Sequence, residues 1–267
     1  MLHLIPISDA NPTRRFPFVT IALIVVNIVL FFQEPGLGSG RGATVYFYNH
    51  APVPCQLVDE CPAGLLPGPE SVSLVAFLAS LLFSTFLHAG FLHIAGNMLF
   101  LWIFGNNIED HLGRVKYLAF YLLGGLVAGL AHVLWSLRDI GGATSALNEC
   151  IASAAQCSPP SAFVPAVGAS GAVAAVMGAY LWLFPRARVN VLVPIFILWT
   201  VVQMSAWAVL GLWFVFQFLT AAQELSGAVE VAWMAHVGGF IFGLVAILLL
   251  GGRPDPPVPV WQPDRRY

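Results

Sequence analysis

A serine becomes a useful nucleophile when a neighbouring base takes its proton, and two residues of this chain suit those roles. Ser170 sits in Gly168-Ala169-Ser170-Gly171, at the start of an apolar run. At a helix start, unpaired backbone N–H groups and the positive end of the dipole can hold an oxyanion. His236 opens another apolar run, and a neutral imidazole within reach could take the Ser170 proton and return it to a leaving amine. His93 and Asn97, four residues apart and so on one face of a third run, could donate hydrogen bonds to a carbonyl oxygen as it becomes an anion, supplementing the backbone donors at Gly168 and Ser170. No Asp or Glu lies at the same depth. The chemistry expected is therefore a dyad whose imidazole is held by packing and not by a buried carboxylate.

The three runs place these groups at one level. Ser170 lies 16 residues before Arg186, His236 lies 17 before Arg253, and His93 lies 16 before Glu109. At about 1.5 Å per helical residue, 16 residues rise about 24 Å, short of a hydrocarbon core about 30 Å thick. A Ser and two His from separate helices should thus share one layer below the far membrane surface, reached by water through a cavity. Helix packing supports the approach: Gly239 and Gly243 follow His236 on roughly its face, Ala174 and Gly178 follow Ser170 likewise, and Gly171 admits a close backbone.

Composition requires a bilayer. Of 267 residues, 58% are hydrophobic and 9% charged, against roughly 25% charged in soluble domains; mean hydropathy is +0.82. Net charge is -2, and the basic residues fall in scattered pairs, which excludes the clustered positive face that nucleic-acid binding needs. Runs long enough to cross are read at 17–33, 86–108, 116–136, 169–185, 190–219 and 234–251. This predicts an all-α, six-transmembrane-helix bundle: a short cytoplasmic N-terminus over 1–16, the domain over 17–252, and a cytoplasmic tail over 253–267. With the N-terminus inside, Arg14, Arg15, Arg114, Lys116, Arg186, Arg188, Arg253, Arg265 and Arg266 face the cytoplasm and only Arg41 and Arg138 lie outside, as the positive-inside rule asks. A further span at 74–87 would break that agreement, so this apolar segment is placed on or partly in the outer leaflet as part of a membrane-associated first loop. No small-residue cleavage site follows the first run, so no removed signal peptide is expected. The loop 137–167 reads as irregular. Cys55, Cys61, Cys150 and Cys157 all fall in external loops, where bridges are permitted and their connectivity is open.

Each feature also has a plainer reading. Gly-Ala-Ser-Gly alone is commonly a close-packed helix start, a lone histidine commonly a cap, and His93 with Asn97 can simply bond across helices. Depth, order and small-residue stripes coincide only under the catalytic reading. His88 reads as a hydrogen-bonding residue at the outer helix end, His132 as an isolated interhelical contact, Glu109 as a structural boundary residue, and Trp213 as lipid-facing or gate-packing bulk. A small transporter would need polar groups continuing to the other face or an inverted repeat, and neither is evident. No HExxH occurs and no span carries paired aspartates, which disfavours metallo- and aspartyl proteolysis.

Together these elements resemble the rhomboid family of intramembrane serine proteases. The resemblance rests on His88-x4-His93-x3-Asn97, Gly168-x-Ser170-Gly171, Ala235-His236-x2-Gly239-x3-Gly243, and the stretch from Phe104-Gly105 through Glu109 to Leu112-Gly113-Arg114. It implies a six-helix fold in which Ser170 is nucleophile, His236 base, and His93, Asn97 and the Ser170 N–H stabilise the oxyanion. It further implies single-span membrane protein substrates that enter laterally from the lipid, past the fifth span and 219–233, with no metal or cofactor. The expected setting is a prokaryotic cell membrane with the site open to the external side. Two departures stand out: Ala174 replaces an aromatic that supports the histidine in many relatives, and the first loop lacks their Trp-Arg pair. A proteolytically silent, client-binding relative is the alternative, although such a protein should lack the serine or the histidine.

Overall fold

The computed structural model describes residues 5–64, 66–152, 159–195, 198–225 and 232–252. The chain is mostly helical, in the order β1 (Ile5–Asp9), α1 (Phe18–Gln33), α2 (Gly40–His50), α3 (Leu74–Ser84), α4 (Phe91–Leu112), α5 (Arg114–Leu137), α6 (Ile140–Ala152), α7 (Ser170–Leu183), β2 (Arg188–Ile195), β3 (Leu198–Ser205), α8 (Ala206–Leu225) and α9 (Trp233–Leu249). Among the described residues, α4 and α5 are long and apolar enough to cross a bilayer; α1, α7 and α9 are apolar but shorter. The bundle is apolar outside as well as inside. Val25, Val29 and Phe32 of α1, Leu134 of α5 and Val245 of α9 are exposed, while Asn27, Asn97 and His132 are buried. Outward apolar surface on this scale suits lipid, not water.

At one end of the bundle α1 is anchored by α4. A helix start leaves N–H groups without partners, and here the buried Glu109 supplies them: its Oε1 accepts from Val19 N at 2.9 Å, and its Oε2 accepts from Thr20 N at 2.8 Å and Thr20 Oγ1 at 2.9 Å. The carboxylate also complements the positive end of the α1 dipole. Immediately beyond, Gly113 takes φ 75° between α4 and α5, a conformation that costs an L side chain but not glycine. It turns the chain directly from one membrane-length helix into the next.

The segment 190–219 is not one continuous span, as the sequence suggested. Residues 188–195 and 198–205 pair as β2 and β3, and β1 adds to them, giving an antiparallel sheet in the order β1-β2-β3. The alternation explains it. Val189 and Val191 are fully buried, while Ser8, Asn190 and Gln203 bond across the outer face. Hydropathy summed over a window does not separate such a β-branched half-buried strand from a helix; only α8 remains helical there, from Ala206. The N-terminal segment is likewise part of the fold through β1. Two other expectations shift. The second span begins at Phe91 and ends at Leu112, which leaves His88 in the turn before it. The 137–167 loop contains α6, started by Asp139 Oδ1 accepting from Gly142 N at 3.0 Å, an N-cap that the Gly141-Gly142 pair obscured. The expected 253–267 tail lies outside the described residues.

The sheet is pinned to the bundle by Asp9. Its Oδ2 accepts from Tyr180 Oη of α7 at 2.5 Å and from Asn107 Nδ2 of α4 at 3.0 Å. Burial pushes the Asp9 carboxyl up from 3.8 to about 6, against the lowering pull of those hydrogen bonds. The folded state therefore holds this proton more tightly than the unfolded chain. The stabilisation is complete below about pH 4 and is lost as pH rises through about 6. Asp9→Asn should abolish this contribution: the stability advantage of wild type over the variant should grow between pH 7 and pH 4, by at most roughly 3 kcal/mol, read as a widening gap in melting temperature of detergent-solubilised protein.

Candidate active site

Ser170 is the first residue of α7, and the turn before it depends on Gly168. Gly168 adopts φ +128°, and a Cβ there would fall 2.8 Å from His93 Nε2 and 3.6 Å from Ser170 Oγ. Glycine is thus required both by the backbone conformation and by the imidazole lying against it. The Gly168 N–H is used by Ser84 O at 3.0 Å, so it fixes the loop and does not supplement the donors. The first helical hydrogen bond of α7 runs from Val173 N to Ala169 O at 2.9 Å, which leaves the N–H groups of Ser170 and Gly171 without a partner in the helix.

His236 reaches Ser170 from α9. His236 Nε2 lies 2.8 Å from Ser170 Oγ, within the range for proton transfer. Helix contact produces this distance. A Cβ on Gly239 would collide with the Gly171 carbonyl oxygen, one on Gly243 with that of Ala175, and one on Gly178 with that of Phe240. The α7 stripe is therefore Gly171, Ala175 and Gly178; Ala174, expected from spacing, is buried beside it. Helix α5 closes the third side, where a Cβ on Gly171 would lie 2.5 Å from Ala128 Cβ.

Two further donors face the same space. The Ala89 N–H points at His93 Nδ1 at 3.3 Å, so Nδ1 accepts and the neutral ring carries its proton on Nε2, the atom beside Gly168. Asn97 is buried, and its Nδ2 has no partner among the described residues. A buried unpaired donor costs about 1–3 kcal/mol, an arrangement suited to an acceptor that arrives with a ligand. Ser170, His236, His93, Asn97 and His132 line one cavity of about 810 Å³ bounded by α2, α4, α7 and α9. Ser170 and His236 are both half-buried, so the pair is screened without being sealed.

What supports the histidine, given Ala174, comes from α8. The Trp213 ring centroid lies 5.7 Å from that of His236, and Gln217 Oε1 lies 2.6 Å from His236 Nδ1. Sequence reading assigned Trp213 to bulk and overlooked Gln217. A signal was present: the two are four apart in an apolar run, on one helix face. His88 is fully buried beside His93, with ring centroids 5.3 Å apart, and its backbone N–H donates to Glu34 Oε1 at 3.0 Å. Burial pushes His88 down to about 3 and Glu34 up to about 7. Cys55 and Cys61 form a disulfide between α2 and α3, with Cα atoms 4.9 Å apart. The Cys150 side chain and Cys157 lie outside what is described.

The family model described as the Rhomboid domain matches residues 76–253. The chain belongs to the rhomboid family. It is similar to presenilin-associated rhomboid-like protein A, mitochondrial, of Danio rerio, with 28% identity over 67% of this chain and 40% of the relative. It is similar also to Rhomboid protein 1, mitochondrial, of Saccharomyces cerevisiae, 27% identical over 62% of this chain and 40% of the relative. Rhomboid protease GluP of Bacillus subtilis is 34% identical over 24% of this chain and 13% of its own length. The matched part of this chain thus spans about two fifths of the fish and yeast relatives. The expected placement in a prokaryotic cell membrane is corrected by these names: the relatives matched over 67% and 62% of the chain are mitochondrial proteins. The placement was read from the compact six-span plan, and a span count does not distinguish one bilayer from another.

The α7–α9 seam has a direct test. Gly243→Val should destabilise the protein by about 3 kcal/mol through overpacking, whereas Gly211→Ala on α8, where a Cβ meets nothing within 4 Å, should leave stability unchanged or raise it by about 0.5 kcal/mol. Thermal melting in detergent checks both.

Proposed function

We propose that this rhomboid-family chain is an intramembrane serine endopeptidase that cuts single-span membrane proteins. The reading includes six crossings, by α1, α4, α5, α7, α8 and α9. It is carried by the 2.8 Å approach of Ser170 Oγ to His236 Nε2 inside a cavity that also presents His93 and Asn97.

Ser170 Oγ attacks the scissile carbonyl as its proton passes to His236 Nε2. The resulting oxyanion is held by the Ser170 N–H, His93 Nε2–H and Asn97 Nδ2. His236 then gives the proton to the leaving amine, and water from the cavity hydrolyses the acyl-enzyme with the same imidazole as base. No metal or cofactor takes part in this sequence. A transmembrane helix hides its carbonyls in its own hydrogen bonds, so a substrate must unwind locally before attack. Gly or Pro near the cut should favour cleavage, since both weaken a helix.

Reconstitution with a single-span reporter tests the proposal. Ser170→Ala and His236→Ala should each lower cleavage by at least roughly 10³-fold. Asn97→Ala should lower kcat by about 10²-fold, as loss of one oxyanion donor does, with little change in KM. Cleavage by Ser170→Ala at the wild-type rate would falsify the assignment.

A further inference from the structure

We infer that Gln217 of α8 is a positioning residue that selects the reactive tautomer of His236, making a series Gln217, His236, Ser170; this rests on the serine-protease reading above.

A neutral imidazole carries one proton, and only the form protonated on Nδ1 leaves Nε2 free to accept from a serine. In this site both nitrogens have partners: Nε2 faces Ser170 Oγ at 2.8 Å and Nδ1 faces Gln217 Oε1 at 2.6 Å. Which end of the amide meets the ring is decided one helical turn away. Gln217 Nε2 donates to the Trp213 backbone carbonyl at 3.3 Å. A carbonyl only accepts, so the amide nitrogen must point there and the amide oxygen must point at His236. That oxygen has no proton to give, so Nδ1 carries it. The lone pair of Nε2 is then directed at the Ser170 hydroxyl.

Gln217 is 7% exposed, so water does not compete freely for this contact. The ring is steadied at the same turn by Trp213, while Ala174 of α7 offers it no π face. The other titratable groups facing His236 are His93 from α4 and His132 from α5; α7, α9 and α8 as far as Gln217 carry no carboxylate. A neutral amide therefore does what a carboxylate does in other serine hydrolases as far as orientation goes, but gives the imidazolium less stabilisation. This has a consequence that a purely packing role for Gln217 lacks: changing the acceptor's charge should change the pH at which the base becomes active.

The test uses the full chain in proteoliposomes with a single-span reporter, and a fluorophosphonate probe that labels an activated serine. Gln217→Leu should lower kcat by about 10- to 100-fold with KM nearly unchanged, the range for losing the partner that orients a metal-bound histidine. Gln217→Glu keeps an acceptor of nearly the same shape. It should retain cleavage and move the acidic limb of the pH–kcat profile up by about one unit, as a carboxylate beside an imidazole does. Wild type that cleaves and labels, with a Gln217→Glu profile superimposable on its own and an unaltered kcat in folded Gln217→Leu, overturns the inference alone. Wild type that neither cleaves nor labels overturns the protease reading and the inference with it.

Discussion

Where α7 crosses α9, the two backbones stand so close that side chains are excluded from both surfaces. The carbonyl oxygens of Gly171 and Ala175 occupy the space that a Cβ on Gly239 or Gly243 would need, and the Phe240 carbonyl does the same opposite Gly178. In lipid, helices gain little from hiding apolar surface from one another, so contact of this kind rests on close packing between small residues. The site depends on it. Ser170 begins the first of these helices and His236 lies one turn into the second; moving the axes apart by the width of one methyl group would end the 2.8 Å contact between them.

The two ends of the bundle treat buried polarity in opposite ways. Around the start of α1 the polar groups are paired: both oxygens of Glu109 are bonded, and Asp9 ties Tyr180 and Asn107 together. Around the start of α7 they are left partly unsatisfied, with Asn97 Nδ2 unpaired beside a cavity and the first N–H groups without a partner in the helix. Saturated networks stiffen a scaffold, and unsatisfied donors await a ligand. A fold that concentrates the second kind in one layer, above a rigid layer of the first kind, can hold a reactive geometry in a medium where water is scarce.

The segment between α7 and α9 does more than connect them. The β2–β3 pairing sets β2 against β1 and β3 at the far edge of the sheet, and α8 then brings Trp213 and Gln217 against His236. The imidazole is thereby contacted from two helices, its Nε2 by α7 and its Nδ1 by α8. The ring support expected of an aromatic at Ala174 is supplied from a different element.

The residues alone pointed to a membrane protein of the rhomboid kind, to Ser170, His236 and His93 at one level, and to glycines that would admit the helices to one another. Those conclusions follow from hydropathy, from helical rise and from residue volume, each of which is a local property of the chain. The pairing of β2 with β3, the helix at 140–152 and the partner of His236 Nδ1 were decided by tertiary structure. A run of valines is equally apolar in a strand or a helix until β1 arrives to pair with it. A glutamine in an apolar run has no assigned role until another helix places an imidazole 2.6 Å from its oxygen, because a hydrogen bond is fixed by distance and direction, and neither is written in sequence separation.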